Sequence, residues 1–215
     1  MKSVISKAIY LSPAEMIMLF KKYRIVGIML PHGVYEDSIS EKTFKKSIIE
    51  LINRGIIIPD SDNDSFTLSD SIKHILQVIR DSKDTIVISD IKNDKTCLFF
   101  SDDYAVTISG DQSSYQQFRF EMDYKNNILN RILESDYLPK DNYGDEIIDH
   151  DIKDVTFEKT VIKIQSYAKK SDKQKMTISV GRYGFDDCIY VECDKGASLY
   201  RYTLDRLNRL IMEEE

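Results

Sequence analysis

Residues 40–79 read SEKTFKKSIIELINRGIIIPDSDNDSFTLSDSIKHILQVI, and the fold turns on how this stretch is parsed. Phe44, Ile48, Leu51 and Ile52 fall at i, i+4, i+7 and i+8, which puts them on one face of a helix. Ser40 stands where an N-cap is wanted, and Gly55 where a left-handed C′ residue is wanted. Ile56-Ile57-Ile58 is too short for a second helix and reads as a buried strand. Asp60 to Ser65 is a run of turn formers, and Phe66-Thr67-Leu68 returns as a strand. Ile72, Ile75, Leu76 and Ile79 then restore the helical spacing.

Helix, hairpin, helix in that order is the pattern of a winged-helix module. In such a module the helix before the hairpin enters the major groove of DNA. Here that helix offers Lys42, Lys45 and Lys46, but the hairpin tip carries Asp60, Asp62 and Asp64 where phosphate contacts need Lys or Arg. Three aspartates cost more attraction than one basic triplet supplies, so no nucleic-acid partner is expected and the segment reads as a packing module. Asp60-Ser61-Asp62-Asn63-Asp64 also imitates the start of a calcium loop. Ser65 and Ser71 stand where that loop needs its glycine and its bidentate glutamate, so no metal is expected.

The 215 residues are long enough to bury a substantial core, and the shares of apolar (42%) and charged (31%) residues are those of an ordinary globular protein. No apolar run approaches the ~20 residues that span a bilayer. Met1 to Tyr10 carries two lysines but no long apolar core, which predicts a cytoplasmic protein without a signal peptide or membrane insertion. Cys97, Cys188 and Cys193 are odd in number and widely spaced, which argues against a disulfide framework. Cys188 and Cys193 lie five apart in an expected strand, so they face opposite sides and cannot share a metal. The net charge of −6 is uneven, +2 over residues 1–83 and −8 over the remainder. An acidic C-terminal two thirds repels phosphate backbones and suits solubility or a protein partner.

Along the chain, Leu11 to Glu15 forms a complete helix start. Ser12 is the N-cap, Pro13 is N1, Glu15 at N3 closes a capping box, and Leu11 staples onto Met16. The helix runs on through Ile17, Leu19, Phe20 and Tyr23, and Pro31-His32-Gly33 breaks the chain ahead of Ser40. Residues 1–83 are thus a helical, winged-helix-like segment. From Asp84 the period changes to two, giving strands at Thr85–Asp90, Thr96–Phe100, Tyr104–Ser109 and Gln117–Asp123. A helix with Ile128, Leu129, Ile132 and Leu133 follows and ends at Leu138-Pro139. Residues 84–139 form a first sheet-plus-helix half, and residues 140–154 an acidic, solvated connection. Residues 155–215 form a second half, with strands at Val155–Tyr167, Met176–Val180 and Cys188–Cys193 and a last helix from Ser198 carrying Leu207, Leu210 and Ile211.

The halves read as one unit used twice. Leu129-Asn130-Arg131-Ile132-Leu133 matches Leu207-Asn208-Arg209-Leu210-Ile211, and each half is strands and then an amphipathic helix. A strand-rich unit with one helix buries one face, so two copies join their sheets. The expected fold class is α+β, with a mostly antiparallel sheet over residues 84–215.

No chemistry-bearing pattern emerges. His32, His74 and His150 are scattered, and Asp149-His150-Asp151 holds a metal only with ligands from elsewhere. Nucleophile-elbow, Walker and dinucleotide motifs are absent from the sequence, so no enzyme and no cofactor are expected. Tyr115, Phe118, Phe120, Met122 and Tyr124 crowd one region. Phe118, Phe120 and Met122 share a strand face that reads as core, and any exposed part would be a protein-binding surface.

The order of parts resembles the EspG family, cytosolic chaperones of type VII (ESX) secretion. Phe44-x3-Ile48-x2-Leu51-x3-Gly55-Ile56, followed after a polar gap by Ile72-x2-Ile75-Leu76, is similar to that family's helix, L-x-x-x-G-L and following leucine-rich helix. Two successive sheet-plus-helix halves resemble its pseudo-symmetric central sheet. Gly181-Arg182-Tyr183, opening a strand before the last helix, resembles its G-R-Y segment. The similarity spans roughly Leu11 to Met212. It implies a non-enzymatic chaperone that covers the apolar helical tip of a secreted client, keeps it soluble and delivers it to the secretion machine. The second sheet and last helix, around Tyr183, Phe185, Tyr190, Tyr200 and Tyr202, are the expected contact region. Two other readings compete: a winged-helix DNA-binding regulator with a C-terminal sensing domain, and a self-contained interaction module without a client.

Overall fold

Alternating apolar residues from Asp84 onward build one large sheet in the computed structural model of the chain. It describes residues 8–26, 28, 40–60, 65–92, 94–110, 117–133, 138–139, 147–150, 155–169, 171 and 173–212. In chain order the elements are β1 (Ile9–Leu11), α1 (Pro13–Lys22), α2 (Glu41–Asn53), β2 (Ile57–Pro59), β3 (Phe66–Leu68), α3 (Asp70–Asp81) and β4 (Asp84–Asp90). Then come β5 (Lys95–Phe100), β6 (Tyr104–Gly110), β7 (Phe118–Tyr124), α4 (Lys125–Leu133) and β8 (Ile147–His150). Last are β9 (Lys159–Ala168), β10 (Lys173–Tyr183), β11 (Asp186–Cys193), β12 (Gly196–Arg201) and α5 (Leu204–Met212).

Ten strands form the sheet in the order β1-β7-β6-β5-β4-β9-β10-β11-β12-β8, while β2 and β3 make a separate hairpin. Every pairing is antiparallel. The α+β class follows directly. The order reads alike from both ends: β4 meets β9 in the middle, two meanders run outward, and β1 and β8 close the edges. At the seam Val87 stands opposite Gln165. The interval that carries Leu129 onto Leu207 also carries Val87 onto Gln165, its own partner, and carries β7 onto β12.

Strand alternation sends neighbouring residues to opposite faces. Val87, Cys97, Phe99, Val106, Ile108, Phe118, Phe120 and Met122 lie on one face, in a core shared with Met16, Leu19 and Phe20 of α1 and Ile72, Ile75, Leu76 and Ile79 of α3. Ile86, Ile88, Leu98, Ile162, Ile164, Ile178, Val180 and Ile189 lie on the other, in a core shared with Ile128 of α4 and Leu207 and Ile211 of α5. Each such side chain contributes roughly 1.5–3 kcal/mol when fully buried, which is why β4 and β5 read as near-continuous apolar runs.

Several boundaries differ from expectation. Ser198 does not start the last helix; it pairs with Val191 inside β12, and α5 begins after Thr203, whose hydroxyl accepts from the Arg206 N–H at 3.1 Å. The acidic connection of residues 140–154 contains β8, which pairs with β12. β1 joins the sheet ahead of the first helix, with Ile9 opposite Phe120. The strand expected from Val155 begins at Lys159, because Phe157 lies against Gly181 and the Glu158 N–H bonds the Arg182 carbonyl at 3.0 Å. Gly181-Arg182-Tyr183 therefore closes β10 rather than opening a strand. His32, Asp62, Asp64, Tyr115 and the Pro31-His32-Gly33 break lie outside the described residues.

Candidate functional site

Local hydrogen bonds fix both ends of α2. The Ser40 hydroxyl accepts from the Thr43 N–H at 3.2 Å. At the other end Gly55, at φ 66°, lets its own N–H reach the Ile52 carbonyl and that of Ile56 reach the Leu51 carbonyl, each at 2.9 Å. This is a Schellman stop. The helix is tied to α1 by Arg54, whose guanidinium donates to both carboxylate oxygens of Glu15 at 3.1 and 3.3 Å and to the Tyr10 carbonyl. Glu15 is almost wholly buried and also accepts from the Ser12 N–H at 2.7 Å, so one carboxylate closes the cap of α1 and holds α2.

The apolar stripe of α2 is not all core. Leu51 and Ser47 are buried and Phe44 is half-buried, while Ile48, Ile49 and Ile52 are 38%, 59% and 37% exposed. In the hairpin, Ile57 and Leu68 face inward and Ile58 opposite Thr67 faces out, 48% exposed. Four isoleucines on one helix and the strand it runs into thus meet solvent. Charged pairs share this surface: Lys45, three and four residues before Ile48 and Ile49, bonds Glu41 at 2.8 Å, and Lys46 approaches Glu50 at 3.5 Å, both along the helix. Exposed isoleucines interleaved with paired charges give this helix a mixed surface of the kind found at protein contacts.

The five aromatic residues of the expected contact region are not brought together. Tyr183 and Phe185 sit at the β10–β11 turn, with Phe185 97% exposed. Tyr190 is half-buried and shares with Ser179 the sheet face opposite Ile178 and Val180. Tyr200 is half-buried on the α5 side with the Arg206 guanidinium 4.9 Å above its ring. Tyr202 is fully buried in the second core, so it supports α5 and presents no surface. The sequence signal for this surface is the Ile48-Ile49 pair with Ile52, an apolar arc wider than one contact with the body requires.

Ionisable groups show no nucleophile beside a base among the described residues. Burial pushes the Cys97 thiol up to about 12 and the Cys188 thiol up to about 11, where the reactive thiolate is scarce at neutral pH. His74 packs edge-on to Tyr104 at 5.0 Å between ring centres, a packing role. Among the described residues no group of three or more His, Cys, Asp or Glu side chains could hold a metal ion. Two clefts of about 420 and 720 Å³ share Asp81–Asp84, the turn from α3 into β4.

Fold and surface together define an α+β protein built on a ten-stranded antiparallel sheet, with a helix, α2, that turns Ile48, Ile49 and Ile52 to solvent. No protein-family model matches the chain, and no curated protein matches it. No helix among the described residues is long and apolar enough to cross a membrane.

Proposed function

We propose that this protein is a non-enzymatic, cytosolic protein-binding module, and that it serves as a type VII secretion-associated chaperone holding a helical substrate. The observation that carries the reading is the exposed isoleucine face of α2, where a winged-helix reader of DNA would need cations. α2, the β2–β3 hairpin and α3 follow the winged-helix order, and the symmetric strand order supports a platform of two like halves, as in EspG-type proteins. A client helix laid on Ile48, Ile49 and Ile52 would bury its own apolar stripe against them.

The test is co-expression with any helical-hairpin protein encoded beside its gene. The expected result is a stable complex on size exclusion that disappears with Ile49→Asp, an exposed change that leaves the fold intact. Absence of any complex, or one indifferent to Ile49→Asp, counts against the reading. The alternative, a DNA-binding regulator, predicts retardation of duplex DNA at low salt with a steep salt slope; none is expected.

A further inference from the structure

The chain carries a net charge of −6, yet five cations line the 720 Å³ cleft: Arg24, Arg80, Lys83, Lys169 and Lys175, with Asp81 and Asp84. They come from the end of α1, the last turn of α3, the turn into β4, the β9–β10 turn and β10. Three have partners. Arg80 donates twice to Asp81, at 2.7 and 3.1 Å. Lys175 reaches Asp84 at 2.6 Å from a register shift between Gln174 and Met176, a bulge of the kind that re-aims a side chain. The Lys169 ammonium donates to the Ile79 and Arg80 carbonyls, covering the negative end of the α3 dipole. Arg24 and Lys83 have no carboxylate partner among the described residues.

Arg24 is held there at a conformational cost. Its φ is 54°, the C′ position of a Schellman stop, with its N–H on the Lys21 carbonyl at 3.1 Å and that of Ile25 on the Phe20 carbonyl at 2.9 Å. α2 ends the same way with Gly55, the residue for which this backbone is unstrained. An arginine in that position sets a guanidinium at the mouth of the cleft.

We propose that this cleft binds a phosphorylated small molecule bearing several negative charges, with Arg24 and Lys83 as the cations that no carboxylate of the described residues engages. Five cations against two carboxylates leave a net of +3, which matches a di- or triphosphate rather than a monocarboxylate. The arginine fork fits phosphoryl oxygens two at a time and lysine supplies a point charge. Val26, 76% exposed, and Ala168 offer an apolar wall for the organic part. The site is separate from the isoleucine face of α2.

Isothermal titration of the full chain with inorganic tripolyphosphate tests this. One saturable site per chain is expected, and Arg24→Gly and Lys83→Gln should each weaken it about tenfold or more. Because glycine suits the backbone at position 24, Arg24→Gly should melt at or above the parent temperature, which separates lost binding from lost folding. A parallel titration with ATP distinguishes sources. Tighter binding than tripolyphosphate identifies a nucleotide, and equal or weaker binding a free polyphosphate. No saturable binding, or binding that survives both substitutions, overturns the proposal.

Discussion

Arg24 and Gly55 occupy the same position at the ends of two helices, and they separate what a backbone needs from what a side chain adds. A left-handed L-residue costs roughly 1–2 kcal/mol, part of which the greater freedom of an unfolded glycine offsets. Arg24→Gly should therefore leave stability unchanged or raise it by up to about 1 kcal/mol in urea titrations. Gly55→Ala should lower it by about 1 kcal/mol through the backbone alone, since nothing lies within 4 Å of the added Cβ. The reverse order would contradict the αL assignment. Gly181 is a case of space instead: a Cβ there would lie 2.6 Å from the Lys159 carbonyl oxygen and 2.8 Å from Phe157 Cγ. Gly181→Ala should cost about 1–3 kcal/mol. Among the cysteines, only Cys193 is exposed, so a thiol reagent at pH 8 should label one of three in the folded chain and all three in denaturant. Two or more fast thiols without denaturant would be the contrary outcome. The Cys97 thiol, raised to about 12, stays protonated where the unfolded thiol ionises, so its contribution to stability is full below pH 9 and fades toward pH 12.

At the scale of elements, α2 has an anchored side and a free side. Leu51→Ala, at a fully buried position, should cost about 2–5 kcal/mol. Ile49→Asp should change the unfolding free energy by no more than about 0.5 kcal/mol; a larger loss would mean that Ile49 packs against the body. Glu15→Gln should loosen α1 from α2 and cost about 2 kcal/mol, because it weakens both the cap bond and the Arg54 pair. Elements held by local bonds were the legible ones. The capping box Ser12–Glu15 and the Ser40 cap are written in neighbouring residues. Strands β1 and β8 were not, since three or four residues become a strand only when a distant edge such as Phe118–Tyr124 or Gly196–Arg201 receives them. Ser198 and Thr203 are both good caps, and the choice between them rests on the Ser198–Val191 pairing across β11. The isoleucine stripe of α2 was plain in the sequence; which part of it meets the body depends on tertiary placement.

The whole molecule hangs on the β4–β9 seam, where seven residue pairs from Asp84–Ala168 to Asp90–Ile162 join the two meanders into one sheet. The likeness of Leu129–Leu133 to Leu207–Ile211 is legible in the sequence, but that the same interval sets the register of the seam is not. Because one ladder runs through all ten strands, urea unfolding should give a single transition by far-UV circular dichroism and by Cys97 labelling alike. Two separated transitions would mean that the meanders fold independently. We propose that this platform binds a helical protein on α2 and performs no reaction. That is tested by the affinity of any helical-hairpin protein encoded beside the gene for the parent and for Ile49→Asp. A saturable complex that Ile49→Asp weakens about tenfold or more, with folding unchanged, is the expected result. Equal affinity for both chains, or no affinity for either, would contradict it.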